Sequence, residues 1–524
     1  MNSVIKGWLR PVYSGLLLFL TPSVLLWMSL GAVTSVGLFM ALSAKKLFAG
    51  DNVAPTFHPD IPRAWDDHEI GAFQMPLVQR DRSPQYLSAQ EYYAQRVRTI
   101  YRTYPVYAPG NEPAGYMESL EQKEPEIAFD VSSLRTKEDW IRAGEAVFDT
   151  APSPVEMPPV PISALLPPGV SVPTSSDGVI PYVSYVIRKK GVVELNLFSC
   201  AACHSRVMPD GSVVKGAQGN SPFEQLFAAL AKSSAALPEA DAQARNAEWL
   251  LAGTPWVMNR EQFDKQFDFQ ELIRRHEAMQ PGVVERHGTG SATPTKVPSL
   301  IGLQDIRYLD ATGLMRHRSI GDMMRYVITN YGLDIIAHYG DFQPSKSQAG
   351  IGEDGTRFSD EQLYALALYI YSLQPPPNPN PFDDKARRGQ ALFKQLGCVG
   401  CHTPPLYTSN KLTPASGFIV PDDLRKTQDI LEFSVETDAS LATQTRRGTG
   451  FYKVPSLRGV WYRNALTHSG QVNSLEEWLD PARLREDYVP KGFHLHPGPI
   501  KGHEFGLGLS PDDKQALIAF LRTL

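Results

Sequence analysis

All four cysteines of this 524-residue chain fall in two Cys-x-x-Cys-His segments, Cys200/Cys203/His204 and Cys398/Cys401/His402. That spacing lets one helical turn offer two thiols to the vinyl groups of a single haem, while the adjacent histidine reaches the iron from the same side. It is the attachment pattern of c-type haem. Its repetition with no cysteine left over predicts two covalently bound haems, held through Cys200, Cys203, Cys398 and Cys401. A dithiol or a disulfide accounts for the cysteine pairs but not for the histidine that follows each. Zinc would need four convergent ligands per site, which the second segment could gather only from distant histidines.

His204 and His402 supply one axial ligand each, so the chemistry depends on the opposite side of each iron. A second strong ligand makes an electron carrier; an empty position makes a site for peroxide or oxygen. No methionine follows Met324, which excludes a methionine ligand from the second half. The candidates there are His503 first, then His468, with His494 and His496 behind them. For the first haem, Met315 and His317 are nearest in sequence, with Met258, His276 and His287 more distant. Aligning the two Lys-Val-Pro-Ser-Leu segments without a gap sets Ala311 opposite His468, so an open or weakly ligated first haem is expected.

The elements that position these groups recur. A first copy runs from Cys200 through Lys296 of the first Lys-Val-Pro-Ser-Leu segment to an amphipathic stretch over 358–373. A second runs from Cys398 through Lys453 to a similar stretch over 509–524. Both closing stretches open with serine, then acids, then apolar residues at helical spacing, a capped helix start. The proline-rich link over 375–384 reads as a stiff connector. A further helix is expected within 88–101, and residues 150–181, crowded with proline, should wrap the surface in extended form. The expected organisation is a membrane anchor over 1–46, an N-terminal extension over 47–181, a first cytochrome c-like domain over 182–374 and a second over 385–524. The expected fold class is mainly α, two class I cytochrome c-like domains with long irregular loops and an N-terminal transmembrane helix.

The anchor is read from an apolar run over 15–44, flanked by Lys6 and Arg10 and by Lys45 and Lys46. It is longer than a signal-peptide core and long enough to span a bilayer, though cleavage after Ser43 and Ala44 would release the chain. Covalent haem is assembled outside the bacterial inner membrane, so the expected location is inner-membrane anchored with the haem domains in the periplasm. The charge balance of 51 basic against 56 acidic residues, net −5, excludes the basic footprint of a nucleic-acid binder.

The order of the two haem segments, with GQALFKQLGCVGCH before the second histidine, KVPSLRGVWYRNALTHSGQVNSLEEWL after it and FGLGLSPDDKQALIAFLRTL at the end, resembles the bacterial di-haem cytochrome c peroxidase superfamily. The long insertions and the N-terminal extension are most similar to its rubber-oxygenase branch. The resemblance covers about residues 196–524. It implies a reactive N-terminal haem and a relaying C-terminal haem, and it departs from the peroxidases in offering histidine rather than methionine to the relay. The function expected is a di-haem oxidoreductase that reduces hydrogen peroxide or activates oxygen, exchanging electrons with a small cytochrome or cupredoxin. The alternative is a tethered di-haem electron carrier with no substrate. Trp461 and Tyr462 are candidates for electron transfer between the haems. Arg206 and the loop over 215–220 are candidates for holding haem propionates or for turning the chain.

Overall fold

The computed structural model describes residues 56–151, 155–156, 170–234, 239–345 and 355–524. Two helix pairs frame it. Lys137–Phe148 packs against Asp360–Ser372, and Asp384–Gln395 packs against Pro511–Arg522. Each helix starts where a side chain accepts a free N–H of the first turn: Thr136 from Asp139, Ser359 from Gln362, Asp383 from Ala386, and Ser510 from Asp513. The pairs cross at glycine. A Cβ on Gly144 would stand 2.0 Å from the Ala365 carbonyl oxygen, and one on Gly389 would stand 1.9 Å from that of Ala516. The crossing helices share Arg-x-Gly-x-Ala-x-Phe, at 142–148 and 387–393, so the repeat reaches back to residue 137, well before the first haem segment.

The expectation of a mainly α fold is corrected. Helix accounts for 37% of the chain, and the described residues also hold a four-stranded sheet and six two-stranded ladders. The sheet joins Thr103–Tyr107, Val179–Lys189, Val192–Asn196 and Val155–Glu156, with Val179–Lys189 central. Its physical cause is the run VIPYVSYVIRK, rich in β-branched and aromatic residues that fit a pleated surface. Pro105 sits at the irregularity in its register, where a missing N–H does least damage. Three of its four strands lie in the 51 residues separating the first crossing helix from its haem segment; of the proline-rich stretch, 152–154 and 157–169 lie outside the described residues.

The membrane anchor is likewise corrected. Among the described residues no helix is long and apolar enough to cross a membrane. The longest, Ile320–Ile336, has 17 residues, is broken at Gly332 and carries Asp322 and Arg325; a span needs about 20 apolar residues. Residues 15–44 lie outside the described residues, and inner-membrane anchoring has no support from the structure.

The extension is built into the first copy. Trp65, Tyr92 and Ile100 are fully buried in one core with Met324, Leu363 and Leu366. The helix expected over 88–101 is confined to Ala89–Ala94, capped by Ser88 with Glu91. The chain turns extended at Gln95 to lay Arg96–Val97 beside Thr356–Arg357, so tertiary pairing overrides helical propensity.

The two copies interlock by exchanging equivalent bonds. The Lys296 N–H donates to the His468 carbonyl at 3.0 Å, and the Lys453 N–H donates to the Ala311 carbonyl at 3.0 Å. Asp310 and Thr467, each 14 residues beyond its lysine, both adopt φ of 64°, a conformation rare outside glycine. Gln218 closes the same joint with all its amide capacity: Nε2 donates to the carbonyls of Val297 and Ala465, and Oε1 accepts from the N–H groups of Asn464 and Ala465.

Gly389→Ala should lower stability by about 1–3 kcal/mol through overpacking, with Gly144→Ala similar. Gly498→Ala, where an added Cβ meets nothing within 4 Å, should change it by less than about 0.5 kcal/mol. Urea unfolding of the three variants tests the crossing; equal midpoints would contradict it.

Candidate functional site

The first haem segment forms a single helical turn, Cys200–His204, directly after the central sheet. The second opens as a 3-10 turn, Cys398–Gly400, two residues after the helix Asp384–Gln395 has ended and Gly397 has turned the chain at φ 76°. In both, the histidine faces the proline of a Lys-Val-Pro-Ser-Leu segment. The Pro298 carbonyl lies beside His204, whose Nδ1 is buried without a hydrogen bond, and the Pro455 carbonyl beside His402, whose Nδ1 is 3.1 Å from the Tyr407 carbonyl. An imidazole held through Nδ1–H presents its Nε2 lone pair to a metal. Burial depresses the pKa of both rings, that of His204 to about 4 with Arg286 adding repulsion, so both are neutral ligands at physiological pH.

All four cysteines are free thiols. Burial pushes Cys200 up to about 11 and Cys203 up to about 12, so neither is a thiolate at neutral pH and a redox dithiol is disfavoured. Cys200 Sγ stands 3.2 Å from the Tyr331 hydroxyl.

The surroundings of the two histidines differ. His503 faces His402 with ring centroids 6.3 Å apart. An imidazole nitrogen bonds a first-row metal at roughly 2.0–2.1 Å, which sets the centroids of two trans ligands about 6 Å apart. His503 is half-buried, and its pKa is pushed down to about 4 by desolvation and by His402. It also adopts φ of 46°, the kind of backbone strain that gathers at functional sites. Trp478 and Phe505 pack on its ring at 5.3 and 5.2 Å. His468 does not join them. Its ring stacks on Tyr452 at 4.3 Å, its Nε2 is 3.8 Å from Asp438, and it lines a cavity of about 350 Å³ with Trp478 and Lys501. His494 is occupied at Nδ1 by the Gly492 carbonyl, and His496 is exposed.

Around His204 the sequence candidates are engaged elsewhere. Met315 is wholly buried in the first core. His317 contacts the Ile306 carbonyl through Nδ1 and the Tyr371 hydroxyl through Nε2, and His276 lies between Glu224 and Glu285. Arg286 is the charge nearest in influence to His204, and it is held by Asp310 at 2.5 Å, which also takes Arg447 of the second copy at 2.7 Å and the Tyr326 hydroxyl at 2.7 Å. Two guanidinium groups and a phenol hold this carboxyl far below the usual range despite its burial.

Sequence reasoning did not single out a group of cations between the copies. Lys296, Lys453 and Arg463 are half-buried and repel one another, and no carboxylate forms an ion pair with them among the described residues, although Asp310 acts on Lys453 from a distance. Burial and that repulsion bring Lys296 down to about 7; burial foremost, with Arg286 and Arg463, brings Lys453 down to about 8. Arg206 is similar, donating to Asn464 Oδ1 and the Gln218 carbonyl. Buried cations without anions are unfavourable unless an anion is supplied. Haem propionates are such anions, and with the histidine geometry and free thiols the residues present fit c-type haem. The two lysines of the repeated segment were the available signal. Lys215, by contrast, is taken up by Glu145 and Asp149, and Trp461 and Tyr462 pack edge to face at 4.9 Å with Tyr462 in the core.

No family model matches the chain. It is 30% identical over 165 residues to the cytochrome-c peroxidase IdrP1 of Pseudomonas sp. (strain SCT), covering 28% of this chain and 41% of that protein. The chain thus spans less than half of the curated relative it matches, and over that stretch it resembles the di-haem peroxidase superfamily. Among solved structures, hydrazine synthase of Kuenenia stuttgartiensis matches at 13% identity and a TM-score of 0.27, over 53% of this chain and 85% of that one. A MauG-like protein associated with microbial copper homeostasis matches at 17% and 0.30, over 44% and 73%. With TM-scores this low, neither bears on the site.

Asp310→Asn would leave two buried arginines short of a counter-charge and should lower stability by about 3–5 kcal/mol, read from the urea midpoint. A loss below about 1 kcal/mol would show that the joint does not depend on it.

Proposed function

We propose that the chain is a di-haem c-type oxidoreductase that reduces hydrogen peroxide at the haem attached through Cys200 and Cys203, with electrons relayed by the haem attached through Cys398 and Cys401. The observation that carries this reading is the asymmetry of the two histidines: His402 faces a second imidazole at ligand-pair spacing, whereas the rings of His317 and His276 are engaged by other partners. Similarity to a cytochrome-c peroxidase supports peroxide as the oxidant.

A c-type haem supplies one-electron steps and, where one side is open, cleavage of the peroxide O–O bond. Peroxide reduction consumes two electrons and two protons and yields two waters, which is a reason to keep two one-electron centres in one chain. The chain's own residues do the rest. His204 and His402 would each hold a haem iron through a neutral ring nitrogen, His402 being oriented by the Tyr407 carbonyl. His503 would close the second site, leaving it to exchange electrons without binding substrate. Arg286, clamped by Asp310, keeps positive charge beside the first site. Lys296, Lys453, Arg463 and Arg206 neutralise the propionates between the copies. The electron donor is proposed to be a small cytochrome or cupredoxin.

Full-length haem-loaded protein should show one ligand-binding haem and one low-spin haem, and should consume peroxide with a reduced dye as donor. His503→Ala should convert the low-spin haem to high-spin and remove most of the turnover; His468→Ala should leave the spectrum unchanged. Two low-spin haems that neither bind cyanide nor consume peroxide would overturn the reading in favour of an electron carrier.

A further inference from the structure

The stretch between the first haem segment and Lys296 is much longer than its counterpart in the second copy, and it carries helices the second copy lacks: Phe223–Ser234, Ala240–Ala252, Arg260–Gln266 and Phe269–Ala278. Their shared core is small. Four of its eight buried residues are alanines, Ala228, Ala231, Ala240 and Ala244, so little apolar area holds them together. Small cores of this kind commonly rely on an added staple such as a metal.

Beside that core, four titratable side chains meet. Glu224, His276 and Glu285 bring ligand atoms within 4.8 Å of one another, and Glu248 adjoins Glu285. Glu224 is fully used. Its Oε1 accepts the Glu285 N–H at 2.9 Å, and its Oε2 accepts from His276 Nδ1 at 2.6 Å. In the neutral ring this carboxylate–histidine contact would keep the proton on Nδ1 and turn the Nε2 lone pair the other way, the arrangement found behind metal-bound histidines. Without a metal, burial lowers the ring's pKa but the Glu285 and Glu224 carboxylates outweigh it and raise the value to about 10, so a metal would displace the Nε2 proton. The His276 side chain is 2% exposed, and Phe227 covers its ring at 4.5 Å. Its Nε2 makes no hydrogen bond; it lies 3.1 Å from Glu285 Oε2 but off the line such a bond requires. Glu285 Oε1 is also buried without a hydrogen-bond partner. Glu248 turns one oxygen to the N–H and hydroxyl of Ser291, at 2.9 and 2.6 Å. No lysine or arginine pairs with these three carboxylates among the described residues.

We propose that His276 Nε2 and the Glu285 carboxylate bind a divalent first-row transition-metal ion, distinct from haem iron, with Glu224 orienting the imidazole and Glu248 adjoining Glu285. One borderline nitrogen among hard oxygens, with no sulfur, is a donor set for zinc, manganese or ferrous iron rather than for copper(I). The ion joins one helix of the insertion to the strand residue that follows Val283–Val284. Arg286, the next residue, is the one held beside His204, so the ion also steadies the margin of the first haem site.

The test uses full-length haem-loaded protein. Elemental analysis after dialysis, with haem iron subtracted by its pyridine haemochrome, should find about one non-haem divalent metal per chain. Protein stripped with a chelator should take up one Mn²⁺ or Zn²⁺ by calorimetric titration, with a rise in unfolding temperature. His276→Gln and Glu285→Gln should lose the uptake and the rise while keeping the Soret band of both haems. The wild-type titration needs no variant to fold and is independent of peroxide turnover. Folded, haem-loaded wild-type protein that retains no non-haem metal and binds neither Mn²⁺ nor Zn²⁺ would overturn the proposal and leave the cluster to be held by protons.

Discussion

The carboxylate of Asp310 lies between two buried guanidinium groups, one from each copy of the repeat. Taking either arginine out of water is unfavourable by several kcal/mol, and one shared counter-charge with well-formed hydrogen bonds is what makes the pair tolerable. Bonds around it secure the position: the Thr312 hydroxyl donates to the Arg447 carbonyl, the Thr449 hydroxyl to the Thr312 carbonyl, and Arg447 Nε to the His287 carbonyl. The charge nearest in influence to His204 thus comes from the first copy but is positioned by the second. The surroundings of His204 are therefore not the property of one copy alone, and the exchanged bonds of Lys296 and Lys453 repeat the same dependence in the backbone.

Duplication supplies symmetry, and the site uses its failures. Pro298 and Pro455 treat their histidines alike, and Gly144 and Gly389 seat their helices alike. The differences lie in what was added or lost. Ala311 stands where the second copy has His468, and His503 has no partner in the first copy. The helical insertion and the central sheet belong to the first copy only, among the described residues. Two histidine sites with different surroundings therefore stand on one repeated frame.

Much of this was legible in the residues. The gapless match of the two Lys-Val-Pro-Ser-Leu segments places Gly302 on Gly459 and Gly313 on Gly470, and all four have φ between 65° and 74°. The absence of methionine after Met324 narrowed the second ligand to four histidines, and folding brings one of them to His402. Other features were hidden for physical reasons. The shared Arg-x-Gly-x-Ala-x-Phe was obscured because a sheet separates it from the haem segment in one copy and four residues do so in the other. That sheet draws on Thr103–Tyr107, remote in sequence from Val179–Lys189, and no local pattern reveals such pairing. The half-buried cations read as ordinary surface lysines until the fold set them together.

The reciprocal backbone bonds between the copies bear on how the chain is made. A polypeptide emerging N-terminus first presents the Ala311 carbonyl and the Gln218 side chain long before Lys453 and Ala465, their partners, leave the ribosome. At roughly 5–20 residues per second, that interval is on the order of ten seconds. For that time the first copy exposes one face of a joint that only the second copy covers, so the interval between the two is the stretch of synthesis in which that face is open to wrong partners.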